Sequence, residues 1–192
     1  MSHPCQIEAT RRLRKLLNVA FSGKATASAR IADDLHLDLQ GKTQEPTLSF
    51  KSEPGTLVGL EGRFANTSCR AALRLEIGGG SLQPGDVLGV MLRTSTGQNA
   101  ALEVILRAYR GPKISDTRFT DRIALPPREA VVTALHTLEP GDPASGTADR
   151  FALVLGLPTH DFRIELHDMH FFVIPAMRGL RSVPARLSSF AA

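Results

Sequence analysis

The sequence predicts an all-β fold, an antiparallel β-sandwich with a short helix at its N-terminus. Three observations lead there. From Leu35 to Ile174, short segments of branched or alternating apolar residues follow one another, the period expected of half-buried strands. Clusters of Gly, Pro, Asp and Ser separate them. No helical pattern alternates with the strands, as a parallel α/β sheet would require. The chain has 192 residues, 42% hydrophobic and 22% charged, which suits one domain with a core that needs no disulfide or metal to hold it.

The chain divides into three parts. Residues 1–34 read as a basic helix and a linker, 35–174 as the sandwich, and 175–192 as a basic tail without periodicity. The helix is expected over Gln6–Phe21, because Leu13, Leu16, Leu17 and Ala20 recur at helical spacing and Ser22-Gly23 supplies a stop. Residues 22–34 are small and read as linker. Strands are expected near 35–40, 47–51, 56–64, 71–77, 87–94, 101–109, 117–125, 130–138, 150–155 and 162–174. Turn signals lie between them at Glu53-Pro54-Gly55, Gly78-Gly79-Gly80, Pro84-Gly85-Asp86, Gly97-Gln98-Asn99 and Pro126-Pro127.

Alternation also assigns faces. Leu73, Leu75 and Ile77 share one side of their strand, and Arg74 and Glu76 the other. Leu102, Val104 and Leu106 oppose Glu103, Arg107 and Tyr109. Phe162, Ile164 and Leu166 oppose Arg163, Glu165 and His167. One face of each strand builds the core, and the other carries Arg and Glu.

Charge is uneven. The formal net charge is +4, yet residues 1–24 carry +4 and residues 175–192 carry +3, which leaves the body at −3. Basic ends on a mildly acidic body favour an acidic protein partner or sister subunits. There is no basic stripe interleaved with aromatics, so nucleic acid is not an expected partner. No apolar run reaches transmembrane length and the first residues lack a signal-like apolar stretch, so a cytoplasmic location is expected. Cys5 and Cys69 form no CxxC pair and read as free thiols.

Catalytic and metal motifs fail on spacing. Gly41-Lys42-Thr43 resembles the end of a phosphate-binding loop, but His36 stands where the first glycine belongs. Ser81 lacks the second flanking glycine of a nucleophile elbow. The densest polar cluster is His160-Asp161, His167-Asp168 and His170. On a regular strand His167 and His170 point to opposite faces, so they cannot chelate one ion. The acidic loop Glu139–Asp149, with Asp142 between, lacks the ligand spacing of an EF-hand, and the sequon Asn66-Thr67-Ser68 needs a secretory route to matter. No catalytic residue, no metal ligand and no cofactor is assigned, and the chain reads as a non-enzyme.

Three stretches carry a family resemblance. Pro84-Gly85-Asp86 leads into VLGVMLRT, followed after one short turn by ALEVILRAY. TRFTDRIALPP precedes AVVTALHTL. RFALVLG is followed by a turn and FRIELHDMHFFVI. This rhythm, over residues 47–174, resembles the jelly-roll sandwiches called galactose-binding-like, which include many carbohydrate-binding modules. The resemblance implies glycan binding on a sheet face or at loops, often with a structural calcium. Sugar platforms in that group usually stack on Trp or Tyr, whereas this chain has no Trp and only one Tyr, Tyr109. Polar contacts are therefore the candidates for ligand binding: Arg74, Glu76, Glu103, Arg107 and Tyr109, whose planar groups engage paired hydroxyls or an acidic sugar. The sequence reading is thus a non-catalytic binding module. Its alternative is an assembly protein, a homo-oligomer included, that docks through its basic ends.

Overall fold

The computed structural model describes residues 3–40, 47–64 and 69–176. Gly41-Lys42-Thr43, the sequon at 66–68 and the tail from 177 onward lie outside the described residues.

The helix α1 runs from Pro4 to Leu16. His3 caps it, its Nδ1 accepting from the Cys5 N–H at 3.3 Å, and Pro4 opens the first turn, where a missing N–H costs nothing. Cys5, Ala9, Leu13 and Leu16 form the buried stripe, spaced to fall on one face. The helix ends before the expected Ser22-Gly23 stop because other groups take its last carbonyls. Asn18 Nδ2 donates to Arg14 O and Gly55 N donates to Leu17 O, both at 2.8 Å.

Two antiparallel sheets follow. Their strands are β1 (Phe21–Ala25), β2 (Ala29–Ala32), β3 (Leu35–Gln40), β4 (Thr47–Ser52), β5 (Val58–Arg63), β6 (Arg70–Leu82), β7 (Val87–Thr96), β8 (Ala100–Arg110), β9 (Lys113–Arg118), β10 (Ile123–Leu125), β11 (Ala130–Thr137), β12 (Gly146–Gly156) and β13 (Phe162–Ile174). The six-stranded sheet has the order β1-β4-β5-β13-β7-β11. The seven-stranded sheet has the order β10-β8-β12-β6-β3-β2, with β9 also paired to β8. The two inner faces enclose one core, with Phe151, Phe171, Leu35, Leu37, Leu48, Leu60, Leu73, Leu75 and Ile77 among its fully buried side chains. This is a jelly-roll β-sandwich with one short helix.

The structure corrects three further local expectations. The presumed linker at 22–34 belongs to the sandwich: Phe21–Ala25 pairs with β4 and Ala29–Ala32 with β3, as edge strands at one flank. Small residues suit these strands because close neighbours lie over them. A Cβ on Gly23 would meet the Phe50 ring at 2.7 Å.

Gly78-Gly79-Gly80 is no turn but part of β6, which runs on to Leu82. Gly78 and Gly80 are needed there because α1 lies across them, and Gly79 because the backbone of β12 does. A Cβ on Gly78 would sit 2.4 Å from Glu8 Cγ, one on Gly80 2.8 Å from Cys5 Sγ, and one on Gly79 2.3 Å from the Asp149 carbonyl oxygen. Gly78 and Gly80 also have φ of 89° and 155°, which favour glycine.

The third correction concerns β13. Its register against β7 shifts between Leu166 and Asp168, a β-bulge. The extra residue resets the alternation, so Phe162, Ile164 and Leu166 face inward before it and Met169, Phe171 and Val173 after it. His167 and His170 therefore both lie on the outer face, not on opposite faces. His167 Nε2 pairs with Ser95 Oγ at 3.0 Å, whereas His170 Nε2 lies 3.6 Å from Asp168 Oδ2.

Candidate functional site

The outer face of the seven-stranded sheet brings four of the five candidate residues together. Directly opposite residues of antiparallel strands share a face, so the register gives the layout in rows. One row runs His36, Arg74, Val154, Ile105 across β3, β6, β12 and β8. The next runs Glu76, Ala152, Arg107, Asp116 across β6, β12, β8 and β9. The third sets Arg150 beside Tyr109. Ala152 and Val154 are buried without belonging to the core cluster. They form an apolar floor under the long side chains that flank them.

Glu76 sits at the centre and is 5% exposed. Its Oε1 accepts from Arg74 Nη1 at 2.6 Å. Its Oε2 lies 3.2 Å from Arg150 Nε, an ion pair whose angle does not make a hydrogen bond, so this buried oxygen has no hydrogen-bonding donor. Arg74 also donates from Nε and Nη2 to Asp38 at 2.9 and 3.3 Å. Arg107 donates in fork geometry to Asp116 at 2.7 and 2.8 Å. The Arg150 guanidinium carbon stands 4.1 Å from the centre of the Tyr109 ring, a cation–π contact.

The electrostatics are those of a neutral but polarised patch. Three guanidiniums, Arg74, Arg107 and Arg150, balance three carboxylates, Asp38, Glu76 and Asp116. The Asp116 hydrogen bonds raise the Arg107 pKa. Burial is the largest single effect and opposes the charge on Arg74, but Asp38, Tyr109 and Glu76 together outweigh it and the pKa is raised. Burial, then the neighbouring Arg74 charge, lowers the His36 pKa and favours its neutral form. Ser28, Gln40 and Asp38 complete the rim of a shallow open depression around Arg74, Arg107, Tyr109 and Arg150.

Glu103 does not join the cluster. It lies opposite Gly156, further along β8, and binds Arg122 at 2.6 Å with Arg118 at 3.9 Å. Asp38, Asp116 and Arg150 are the residues that sequence reasoning missed. The alternation His36, Asp38, Gln40 in β3 did signal an outward Asp38. Arg150 stood at the first position of an expected strand and gave no such sign.

A second depression crosses β4, β5 and β13 on the other sheet. It is floored by Gly59 and walled by Lys51, Glu61, Arg163 and Glu165. Its charges pair locally, two residues apart, as in Lys51–Glu53 and Arg163–Glu165, and they are exposed. The first patch differs in that most of its pairs join one strand to another, from β3 to β9, and enclose a buried carboxylate.

No group of three or more His, Cys, Asp or Glu suited to a metal ion occurs among the described residues. The acidic loop does not fit a calcium ion. Asp142 Oδ2 accepts from Glu139 N at 2.7 Å and faces His136 Nε2 at 3.3 Å, whereas Asp149 Oδ2 accepts from Gly111 N at 2.6 Å. These carboxylates fix their own turns and do not converge.

No helix of the described residues is long and apolar enough to cross a membrane. No protein-family model matches the sequence, and no curated protein sequence matches it. Solved structures do resemble it. A structure described as "CBM4 structure and function" aligns at a TM-score of 0.52 with 10% identity, covering 79% of this chain and 95% of that one. A family 11 xylanase from Neocallimastix patriciarum aligns at 0.45 with 9% identity, covering 79% and 100%. The enzymatically active domain of bacteriophage CBA120 tailspike protein 4 aligns at 0.46 with 12% identity over 73% of this chain, which spans only 19% of that one. At such identities the likeness concerns the fold: this chain has the jelly-roll β-sandwich architecture seen in carbohydrate-binding modules.

Proposed function

We propose that the chain binds carbohydrate without catalysis, on the outer face of the seven-stranded sheet around Arg74, Glu76, Arg107, Tyr109 and Arg150. The observation that carries the reading is the juxtaposition of the Tyr109–Arg150 stack with a buried, guanidinium-held Glu76. A sugar presents an apolar ring face and paired hydroxyls. Tyr109 offers a limited stacking surface, while Arg107 and Arg150 offer donors already fixed by their neighbours, so little side-chain entropy is lost on binding. Balanced charge suits a neutral glycan better than a strongly acidic one. Each carboxylate is held by a guanidinium, an arrangement that favours hydrogen bonding over proton transfer. The likeness to the CBM4 structure supports the same reading at the level of fold.

Assembly through basic ends has less support. Arg11 and Arg12 pair with Glu8, Arg12 also with Asp34, and Lys15 with Asp33. These cations of α1 are engaged within the chain.

The test is a glycan array on the folded protein, run with calcium and again with chelator, alongside Arg107→Ala and Glu165→Ala. Selective binding that Arg107→Ala abolishes and Glu165→Ala leaves intact is expected. No binding by the folded wild type, or binding lost only with Glu165→Ala, overturns the assignment.

A further inference from the structure

β11 is the last strand of the six-stranded sheet and, among the described residues, it pairs with β7 alone. Among the described residues, no strand pairs with the N–H and C=O groups of its other edge. Proteins usually defend such an edge with charge, Pro or Gly. β1 carries Lys24 and Gly23, and β2 carries Arg30. β11, with the sequence AVVTALHT, has no Lys, Arg, Asp, Glu, Pro or Gly. It also exposes Val131 at 63% and Leu135 at 51%. These two alternate with Thr133 on the outer face.

We propose that β11 is a homodimer interface, at which two copies pair antiparallel about a twofold axis at Thr133 and join their six-stranded sheets into one. The register follows from side-chain parity. Opposite residues must share a face, so residues of matching parity must meet. With Thr133 opposite Thr133, Val131 of one copy stands opposite Leu135 of the other, twice. This centre covers both exposed apolar residues with each other.

Two further features agree with a second copy as the occupant. Leu135 lies in one row with Gly89 and Phe172, and a Cβ on Gly89 would fall 2.0 Å from the Phe172 ring. The ring therefore covers Gly89 beside Leu135, and the second copy's Val131 extends an apolar strip that already exists. Charges at the two ends are complementary as well. In this register Arg128 comes opposite Leu138 of the second copy, one residue from that copy's Glu139. Both side chains belong to exposed residues, and the pairing repeats at each end of the interface. An isologous contact of this kind closes on itself and stops at two copies.

The experiment is sedimentation velocity on the full chain, with circular dichroism to show that each variant is folded. The wild type is expected to be a dimer. Thr133→Arg and Thr133→Glu each place like charges across the axis, and each alone is expected to be a monomer. A one-to-one mixture of the two is expected to recover the dimer, which a folding defect in either variant would not produce. A monomeric wild type overturns the proposal, as does a dimer that survives either single variant or a mixture that stays monomeric. Glycan binding at the Arg107 patch is expected to survive both variants, so its failure and the dimer's are distinguishable.

Discussion

The Arg150 guanidinium packs on the ring of Tyr109 at 4.1 Å while its Nε faces buried Glu76 at 3.2 Å. One arginine thereby links the patch's aromatic surface to its central carboxylate. The sequence contains no Trp and only this one Tyr, so tyrosine emission reports on a single site. Titration with a bound glycan is expected to change that emission, and Arg150→Gln to change it in the free protein. Saturable glycan binding that leaves tyrosine emission unaltered would place the ligand elsewhere. Because half-exposed ion pairs contribute only about 0–1 kcal/mol, Arg150→Gln is expected to lower stability by no more than that while abolishing binding.

Two glycine substitutions separate backbone crowding from side-chain crowding. At Gly79 an added Cβ meets a backbone oxygen at 2.3 Å, whereas at Gly89 it meets the outer end of the Phe172 ring. The ring can rotate away from the sheet and the backbone cannot. Gly79→Ala is expected to cost about 2–3 kcal/mol, in the range of overpacked sites, and Gly89→Ala less than about 1 kcal/mol. Urea denaturation of both variants decides it, and equal losses would refute the contrast.

Glu8 gives the fold an acid-sensitive latch. Hydrogen bonding from Arg11 outweighs the opposing effect of burial and, with a further hydrogen bond from Arg12, holds its carboxyl down at about 2, from 4.5. A depressed folded-state pKa contributes stability that is complete above the unfolded value and lost as pH falls through the folded one. The contribution therefore fades between about pH 4.5 and 2. Glu8→Gln is expected to lower the melting temperature at neutral pH and to flatten its decline across that window. A wild-type and variant difference that stays constant from pH 6 to 2 would remove Glu8 from the latch.

Cys5 is expected to be a slow thiol. Burial pushes its pKa up to about 11, its Sγ donates to Gly79 O at 3.4 Å, and the thiolate is the reactive form. Labelling by a disulfide reagent at pH 8 should proceed only as fast as α1 leaves the sheet. Gly78→Ala, which forces Glu8 away, is expected to speed it at least about tenfold, the effect of a 1.4 kcal/mol easier opening. Rapid labelling of the wild type would mean that the helix is not seated as described. The stability tied to this thiol is complete below about pH 9 and lost as pH rises through 11.

Strand alternation made most of the sandwich legible, because it is a local property of each segment. Leu73, Leu75 and Ile77 against Arg74 and Glu76 needed only period-two geometry. What escaped was set by contacts distant in sequence. Gly78-Gly79-Gly80 reads as a turn until α1 is laid over it, and residues 22–34 read as linker until β3 and β4 supply partners. The outward placement of both His167 and His170 depends on one bulge that no composition signals. The same holds for the site. Arg74, Glu76, Arg107 and Tyr109 were visible as outward polar residues, but their meeting depends on register across β6, β12 and β8. Glu103 has the same alternation and lies apart.

The seating of α1 also bears on the order in which this fold is completed. Its residues touch both sheets, through β6 and through β13, and Gln6 Oε1 accepts from the Val173 N–H at 3.4 Å. Of the elements described, the earliest in the chain thus has part of its berth in the latest, β13. Until that strand has emerged, the apolar stripe of Ala9, Leu13 and Leu16 lacks part of its cover, and the growing chain must carry it open while β1 to β12 are made.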